Sequence, residues 1–245
     1  MPKSRLDQWL VDRGLAPTRT KAQALIMAGK VMLCTQRLTK PGQMVPDDAE
    51  IVLEGAEHPW VSRGGMKLAH ALAEFQLSPK DKICLDVGAS TGGFTDVLLH
   101  HGAQCVYAVD VGHGQLDWKL RQDPRVVSLE KTNARHLTSE QIAVPIDWLV
   151  CDASFISLKK VLPAAMALCM AGATMLTLIK PQFEAGRAEV SKGEGVIRDP
   201  ATHEAICADI QQWVSAQGWV VHGITASPIT GPKGNREFLL WATKT

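Results

Sequence analysis

Three observations predict a doubly wound α/β domain with a mostly parallel seven-stranded sheet, preceded by a small α+β module. From residue 66 onward, apolar segments of strand length alternate with segments of helical periodicity. The run Asp86-Val87-Gly88-Ala89-Ser90-Thr91-Gly92-Gly93-Phe94 follows the first of these strands and opens a helix. The next strand, through Tyr107-Ala108-Val109, ends on an acid, Asp110. Strands are predicted over 82–87, 105–110, 147–151, 173–179, 219–225 and 237–242, with a short one over 126–129. Helices are predicted over 66–75, 92–101, 158–169 and 201–217. The last two strands are separated by a short segment holding Pro228 and Gly231, so they are expected to run antiparallel.

The first 57 residues read as a separate unit, with 58–62 as a linker at His58-Pro59-Trp60-Val61 and the α/β domain over 63–245. Ser4 is expected to cap a helix with Leu6, Trp9 and Leu10 on its apolar face, stopping at Gly14. Thr18 is expected to cap a second helix with Ala22, Leu25 and Ile26 inward, stopping at Gly29. Short strands are expected over 31–33 and 51–53, with Lys40-Pro41-Gly42 turning between them. Residues 1–40 carry Lys3, Arg5, Arg13, Arg19, Lys21, Lys30, Arg37 and Lys40 against Asp7 and Asp12. Such a basic surface on a small module suits a polyanion, and its grip would act chiefly on phosphates.

The whole chain of 245 residues has a formal net charge of only +1, so the basic bias belongs to one part of it. No segment approaches the ~20 uninterrupted apolar residues of a membrane span, and the first residues lack a signal-peptide pattern. A protein of the cytoplasm with no membrane partner is expected. The six cysteines, Cys34, Cys84, Cys105, Cys151, Cys169 and Cys207, form no C-x-x-C pair. Free buried thiols are expected, and no metal site.

The glycine run carries the chemistry. Gly88, Gly92 and Gly93 would let backbone approach a ligand, with Ser90 among them, and Asp110 stands where an acid holds ribose hydroxyls. A dinucleotide site is the alternative, but it needs G-x-G-x-x-G and a bare helix N-terminus for pyrophosphate. Here Asp86 precedes a Gly-x-x-x-Gly-Gly spacing. Its carboxylate would repel a pyrophosphate and favour the cationic end of S-adenosylmethionine. Asn133, beyond the 126–129 strand, is either an adenine-side contact or a turn residue.

Two stretches carry a family resemblance. Arg5-Leu6-Asp7, Gly14-Leu15-Ala16, Arg19, Ala22, Leu25-Ile26, Gly29-Lys30-Val31 and Lys40-Pro41-Gly42 resemble the S-four type of RNA-binding domain, although Cys34-Thr35-Gln36 departs from its usual Asn-Gly or Asp-Gly turn. Lys67, Asp152, Lys180 and Glu237 follow the Lys-Asp-Lys-Glu order of FtsJ-like ribose 2′-O-methyltransferases. Their settings match as well: Ser62-Arg63-Gly64-Gly65-Met66-Lys67, Cys151-Asp152-Ala153-Ser154-Phe155, Ile179-Lys180-Pro181-Gln182-Phe183-Glu184 and Gly234-Asn235-Arg236-Glu237-Phe238. With Gly193-Glu194-Gly195-Val196-Ile197-Arg198-Asp199-Pro200, the chain resembles the TlyA family throughout.

The resemblance implies methyl transfer from S-adenosylmethionine to a cytidine 2′-hydroxyl of ribosomal RNA, with ribosomal RNA or subunits as partner. Lys180 is expected to be the general base, acting as a neutral amine. Asp152 is expected to orient it, and Glu237 to hold Lys67 or the ribose. RNA is expected to meet Arg5, Arg19, Lys21, Lys30, Arg63, Lys192 and Arg198, with Arg187 a further candidate. Relatives that carry a haemolysin label keep open a membrane-active protein, and a non-catalytic ribosome-assembly factor is a third reading.

Overall fold

The computed structural model describes residues 3–33, 36–53, 58–186, 190 and 193–245. The chain divides into two units, Met1–Pro59 and Trp60–Thr245. In the first, β1 (Lys3–Arg5) leads directly into α1 (Leu6–Asp12), followed by α2 (Arg19–Met27), β2 (Val31–Leu33), β3 (Gln36–Leu38), β4 (Met44–Pro46) and β5 (Ile51–Leu53). Strand β2 lies between β3 and β5, and β1 pairs antiparallel with β4. Leu6, Leu10, Ala22, Ile26, Val31 and Leu38 close a core of their own.

Two local expectations are corrected here. Ser4 does not cap α1: it lies in β1, where its hydroxyl donates to Asp47 Oδ1 at 2.6 Å. The N-cap position falls to Arg5, whose side chain makes no capping bond. The Lys40-Pro41-Gly42 turn joins β3 to β4, while β2 and β5 pair directly. Thr18 does cap α2, accepting from Lys21 N at 3.2 Å. The Cys34-Thr35 part of the first hairpin lies outside the described residues.

The second unit is a doubly wound sheet. Its strands are β6 (Ile83–Val87), β7 (Cys105–Val109), β8 (Val126–Leu129), β9 (Ile146–Cys151), β10 (Cys169–Ile179), β11 (Trp219–Ala226) and β12 (Phe238–Lys244), in spatial order β11-β12-β10-β9-β6-β7-β8. Strand β12 runs antiparallel to both neighbours, and the remaining pairs are parallel. Helices α3 (Gly64–Glu74), α4 (Gly93–His100), α5 (Trp118–Gln122), α6 (Leu158–Ala167), α7 (Pro181–Glu184) and α8 (Pro200–Ala216) connect the strands. Strand β10 begins at Cys169, earlier than the expected 173, because α6 stops at Ala167 and the chain turns straight into the sheet.

Apolar side chains cover both faces of the sheet, as parallel strands require. One cluster includes Leu85, Val87, Leu149, Cys151 and Met175, and the other Cys84, Val106, Trp148, Val150 and Leu176. Alternate residues of β9 therefore face opposite layers. Leu149 is fully buried in this central strand. Leu149→Ala is expected to lower stability by about 2–5 kcal/mol, read from denaturant unfolding, because the sheet cannot collapse around the cavity.

Candidate active site

Strand register gathers the four tetrad residues at one edge of the sheet. Val87 pairs with Cys151 and Cys151 with Thr177, so the segments after β6, β9 and β10 emerge together at their carboxyl ends. Antiparallel β12 enters where β10 leaves, with Phe238 opposite Ile179. Glu237, just before β12, is thereby brought beside Lys180, just after β10. Lys67 reaches the same place from the first turns of α3.

The four side chains form one ionic chain. Lys67 Nζ donates to Glu237 Oε2 at 2.6 Å and to Asp152 Oδ2 at 3.3 Å. Lys180 Nζ is 2.5 Å from Asp152 Oδ1. It also donates to Ser154 Oγ at 2.8 Å and to the Asp152 carbonyl at 3.3 Å. Lys67, Lys180 and Glu237 are buried at 8%, 5% and 2% exposure. Two cations and two anions thus offset one another where water is largely excluded, the condition under which buried charges are tolerated.

Two cavities meet at Asp152. The first, about 490 Å³, includes the tetrad with Arg63, Gly88, Ser90, Ser154 and Lys233 in its wall. The second, about 410 Å³, is lined by Val87, Gly88, Ser90, Asp110, Val111, Gln115, Asn133, Ser154 and Ile156 among others. Gly88, Ser90, Asp152 and Ser154 belong to both. Gly88 has φ +83°, and a Cβ there would lie 3.0 Å from the Ala153 backbone. Bare backbone is therefore required where the two cavities join. Asp110 Oδ2 accepts from Ser90 N at 2.9 Å, and its Oδ1 from Gly112 N at 2.7 Å.

Not every expected cofactor residue faces a cavity. Gly92 has φ +96°, but a Cβ there would collide with Leu120 and Leu116, so packing behind the turn requires this glycine. Asp86 is fully buried and lines neither cavity, its Oδ2 accepting from Thr95 Oγ1 at 2.7 Å. A charge on it would act through the turn rather than by contact. Asn133 lines the second cavity, and its Oδ1 accepts from Arg135 N at 3.1 Å, as a turn residue does.

The cations expected to meet RNA fall into separate groups. Asp7 holds Arg5 and Arg19 together, with Arg5 Nη2 at 3.1 Å and Arg19 Nε at 2.9 Å from its Oδ2. Arg5 chief among its partners, Asp7 is held well below the usual carboxylate range. Lys21 and Lys30 are exposed in the same unit. Arg63 is exposed at the rim of the first cavity. Arg198 is exposed and donates to Gly193 O at 3.5 Å. Lys192 and Arg187 lie outside the described residues.

Sequence reasoning gave no role to Ser154, Phe155 or Lys233. Ser90, Phe155 and Lys233 have φ of 49°, 64° and 58°, left-handed values that non-glycine residues adopt at a cost. All three line a cavity. Phe155 is 91% exposed with its ring 5.1 Å from that of Phe183. The one local signal that could have marked any of them is Pro232 and Gly234 on either side of Lys233.

The sequence profile of the FtsJ-like methyltransferase family matches residues 60–244, and that of the S4 domain matches residues 4–51. The chain belongs to the FtsJ-like methyltransferase family. This methyltransferase carries both domains and is similar to TlyA proteins over nearly its whole length. It is 47% identical over 240 residues to the 16S/23S rRNA (cytidine-2'-O)-methyltransferase TlyA of Mycobacterium tuberculosis, covering 98% of this chain and 89% of that one. Hemolysin A of Brachyspira hyodysenteriae is 45% identical, over 96% and 98% of the two chains. A solved structure from Streptococcus thermophilus, carrying the hemolysin name, matches 100% of this chain and 90% of its own with a TM-score of 0.77 and 44% identity.

Asp86 supplies a test of the electrostatics behind the turn. Burial, with Asp152 nearby, pushes its carboxyl from 3.8 up to about 7, against the pull of the Thr95 hydrogen bond. The unfolded chain releases this proton near its ordinary value while the fold keeps it until about 7. Stability contributed at this position is therefore full at low pH and falls as pH rises through that window. Relative to Asp86→Asn, the wild-type methyltransferase is expected to lose stability from about pH 4 to 7 and to level off above. Denaturant midpoints of both proteins across that range check this.

Proposed function

We propose that this methyltransferase transfers a methyl group from S-adenosylmethionine to a cytidine ribose 2′-hydroxyl of ribosomal RNA. The observation that carries the reading is the Lys67–Asp152–Lys180–Glu237 cluster on the wall of a cavity that adjoins a nucleoside-sized cleft. That cleft fits the cofactor. Bare backbone at Gly88, the Asp110 carboxylate and apolar walls from Val111 and Ile156 suit a methionine end, a ribose and an adenine in turn. S-adenosylmethionine, when bound, supplies an electrophilic methyl group.

The first cavity has the charge balance for RNA. Arg63, Lys67, Lys180 and Lys233 outnumber Asp152 and Glu237 on its wall. Lys180, an ammonium in the resting cluster, would give up its proton when a second cation, the sulfonium of the cofactor, lies near it, and the resulting amine takes the proton of a ribose 2′-hydroxyl. With the methyl donor bound, that oxygen would take its methyl group and S-adenosylhomocysteine would leave as the neutral thioether. Asp152 Oδ1, 2.5 Å from Nζ, stabilises the ammonium that results, and Ser154 fixes the amine's direction. Lys67, held by Glu237, offsets negative charge at the attacking oxygen. The exposed ring of Phe155 offers a stacking face for an unpaired base. Arg5, Arg19, Lys21 and Lys30 of the S4 unit supply phosphate contacts.

Membrane lysis has weaker support. Among the described residues, no helix is long and apolar enough to cross a membrane. Purified protein incubated with radiolabelled S-adenosylmethionine and separately isolated, unmodified ribosomal subunits is expected to label RNA at a 2′-oxygen. Lys180→Ala is expected to slow this transfer at least ~100-fold, the usual scale of a lost general base. Label retained at the wild-type rate in that variant would remove Lys180 from the mechanism.

A further inference from the structure

Behind the second cavity, one carboxylate holds a loop that forms part of its wall. Residues 110–117 join β7 to α5, and Val111 and Gln115 line the cavity. Glu130 follows β8, its side chain 12% exposed. Its Oε2 accepts from Gly114 N at 2.9 Å, and its Oε1 from Gln115 N at 3.0 Å and Leu116 N at 3.3 Å. Arg121 Nη2 lies 2.5 Å from Oε1, and the exposed His113 Nδ1 3.3 Å from Oε2. Arg121 Nε also donates to Leu116 O at 3.0 Å, so the arginine grips both the carboxylate and the loop it holds.

The loop bears on both halves of the cleft. At its start, Gly112 N donates to Asp110 Oδ1. Further on, Gln115 Oε1 accepts from Ser90 Oγ at 3.4 Å. Leu116 Cδ1 sits 2.8 Å from where a Gly92 Cβ would be, pressed against the back of the glycine turn. Arg121 first, and then the loop amides, hold the Glu130 carboxyl down to about 2. It therefore remains an anion through the neutral range, as an acceptor of three amides must.

We propose that Glu130 is the positioning residue of the cofactor cleft. It fixes residues 112–116 in the conformation that presents Val111 and Gln115 to the nucleoside and seats Leu116 behind the glycine turn. This role rests on the reading that the second cavity takes the nucleoside end of S-adenosylmethionine. Glu130 touches no reacting atom, so its loss acts on cofactor affinity and leaves the tetrad intact.

The test uses the full chain and Glu130→Gln, with S-adenosylhomocysteine titrated calorimetrically and amide exchange followed over 112–116. Glu130→Gln is expected to bind S-adenosylhomocysteine at least ~10-fold more weakly, the scale of one lost charged hydrogen bond. Exchange over 112–116 rises, KM for S-adenosylmethionine rises, and kcat at saturating cofactor stays within ~3-fold of wild type. Arg121→Gln, which keeps the three amide bonds, is the second variant should the first fail to fold. It is expected to weaken binding while leaving exchange at Gly114 slow. Unchanged affinity in Glu130→Gln overturns the proposal. So does weaker binding with exchange raised evenly along the chain rather than over 112–116, since that would mean a general loss of stability. A wild-type protein that binds neither ligand would instead overturn the cofactor reading beneath it.

Discussion

Lys67 and Lys180 can be withdrawn from water only because the Asp152 carboxylate lies between them and Glu237 closes the far side of Lys67. Each of these groups alone would be a costly buried charge, and together they offset one another's charge. That constraint reaches far into the fold. Asp152 is placed by β9, Lys180 by β10, Glu237 by the start of β12 and Lys67 by α3. A shift of one residue in the register of β9, β10 or β12 would turn every side chain of that strand to the other face of the sheet.

The antiparallel β12 is the reason the cluster has four members. Parallel strands bring only their carboxyl ends to this edge of the sheet. A reversed strand adds the residue that precedes it, and Phe238 opposite Ile179 sets Glu237 close to the Lys180 segment. The same edge holds the glycine turn after β6 and Asp110 after β7. The cleft proposed for the methyl donor and the tetrad thus share a single line of strand ends. Ser90, Gly88 and Ser154 serve both cavities for that reason.

How far the sequence revealed this varied with the kind of signal. The sheet could be read because strand ends carry clear marks, such as Gly88 after Val87 and Pro181 after Lys180, whereas the tetrad was legible as a set only through its resemblance to the FtsJ-like order. The antiparallel final pair was readable from its short, Pro- and Gly-containing connection. Ser4 was misread because its partner, Asp47, lies 43 residues away and no local pattern announces it. Gly92 looked like a ligand contact, yet the side chains that exclude a Cβ there belong to Leu116 and Leu120. Glu130 was invisible for a different reason: its loop contacts are chiefly backbone amides, which every residue but proline possesses.

If the charges of the cluster act as one unit, removing a second member costs little once the first is gone. The direct test is the single-turnover rate of methyl transfer in Asp152→Asn, Lys180→Met and the double variant, with cofactor binding confirmed for each. The double variant is expected to be within ~10-fold of Lys180→Met alone, since Asp152 acts on the attacking group through Lys180. Losses that multiply across the two substitutions would mean that Asp152 and Lys180 contribute independently, and the description of the tetrad as one linked unit would be wrong.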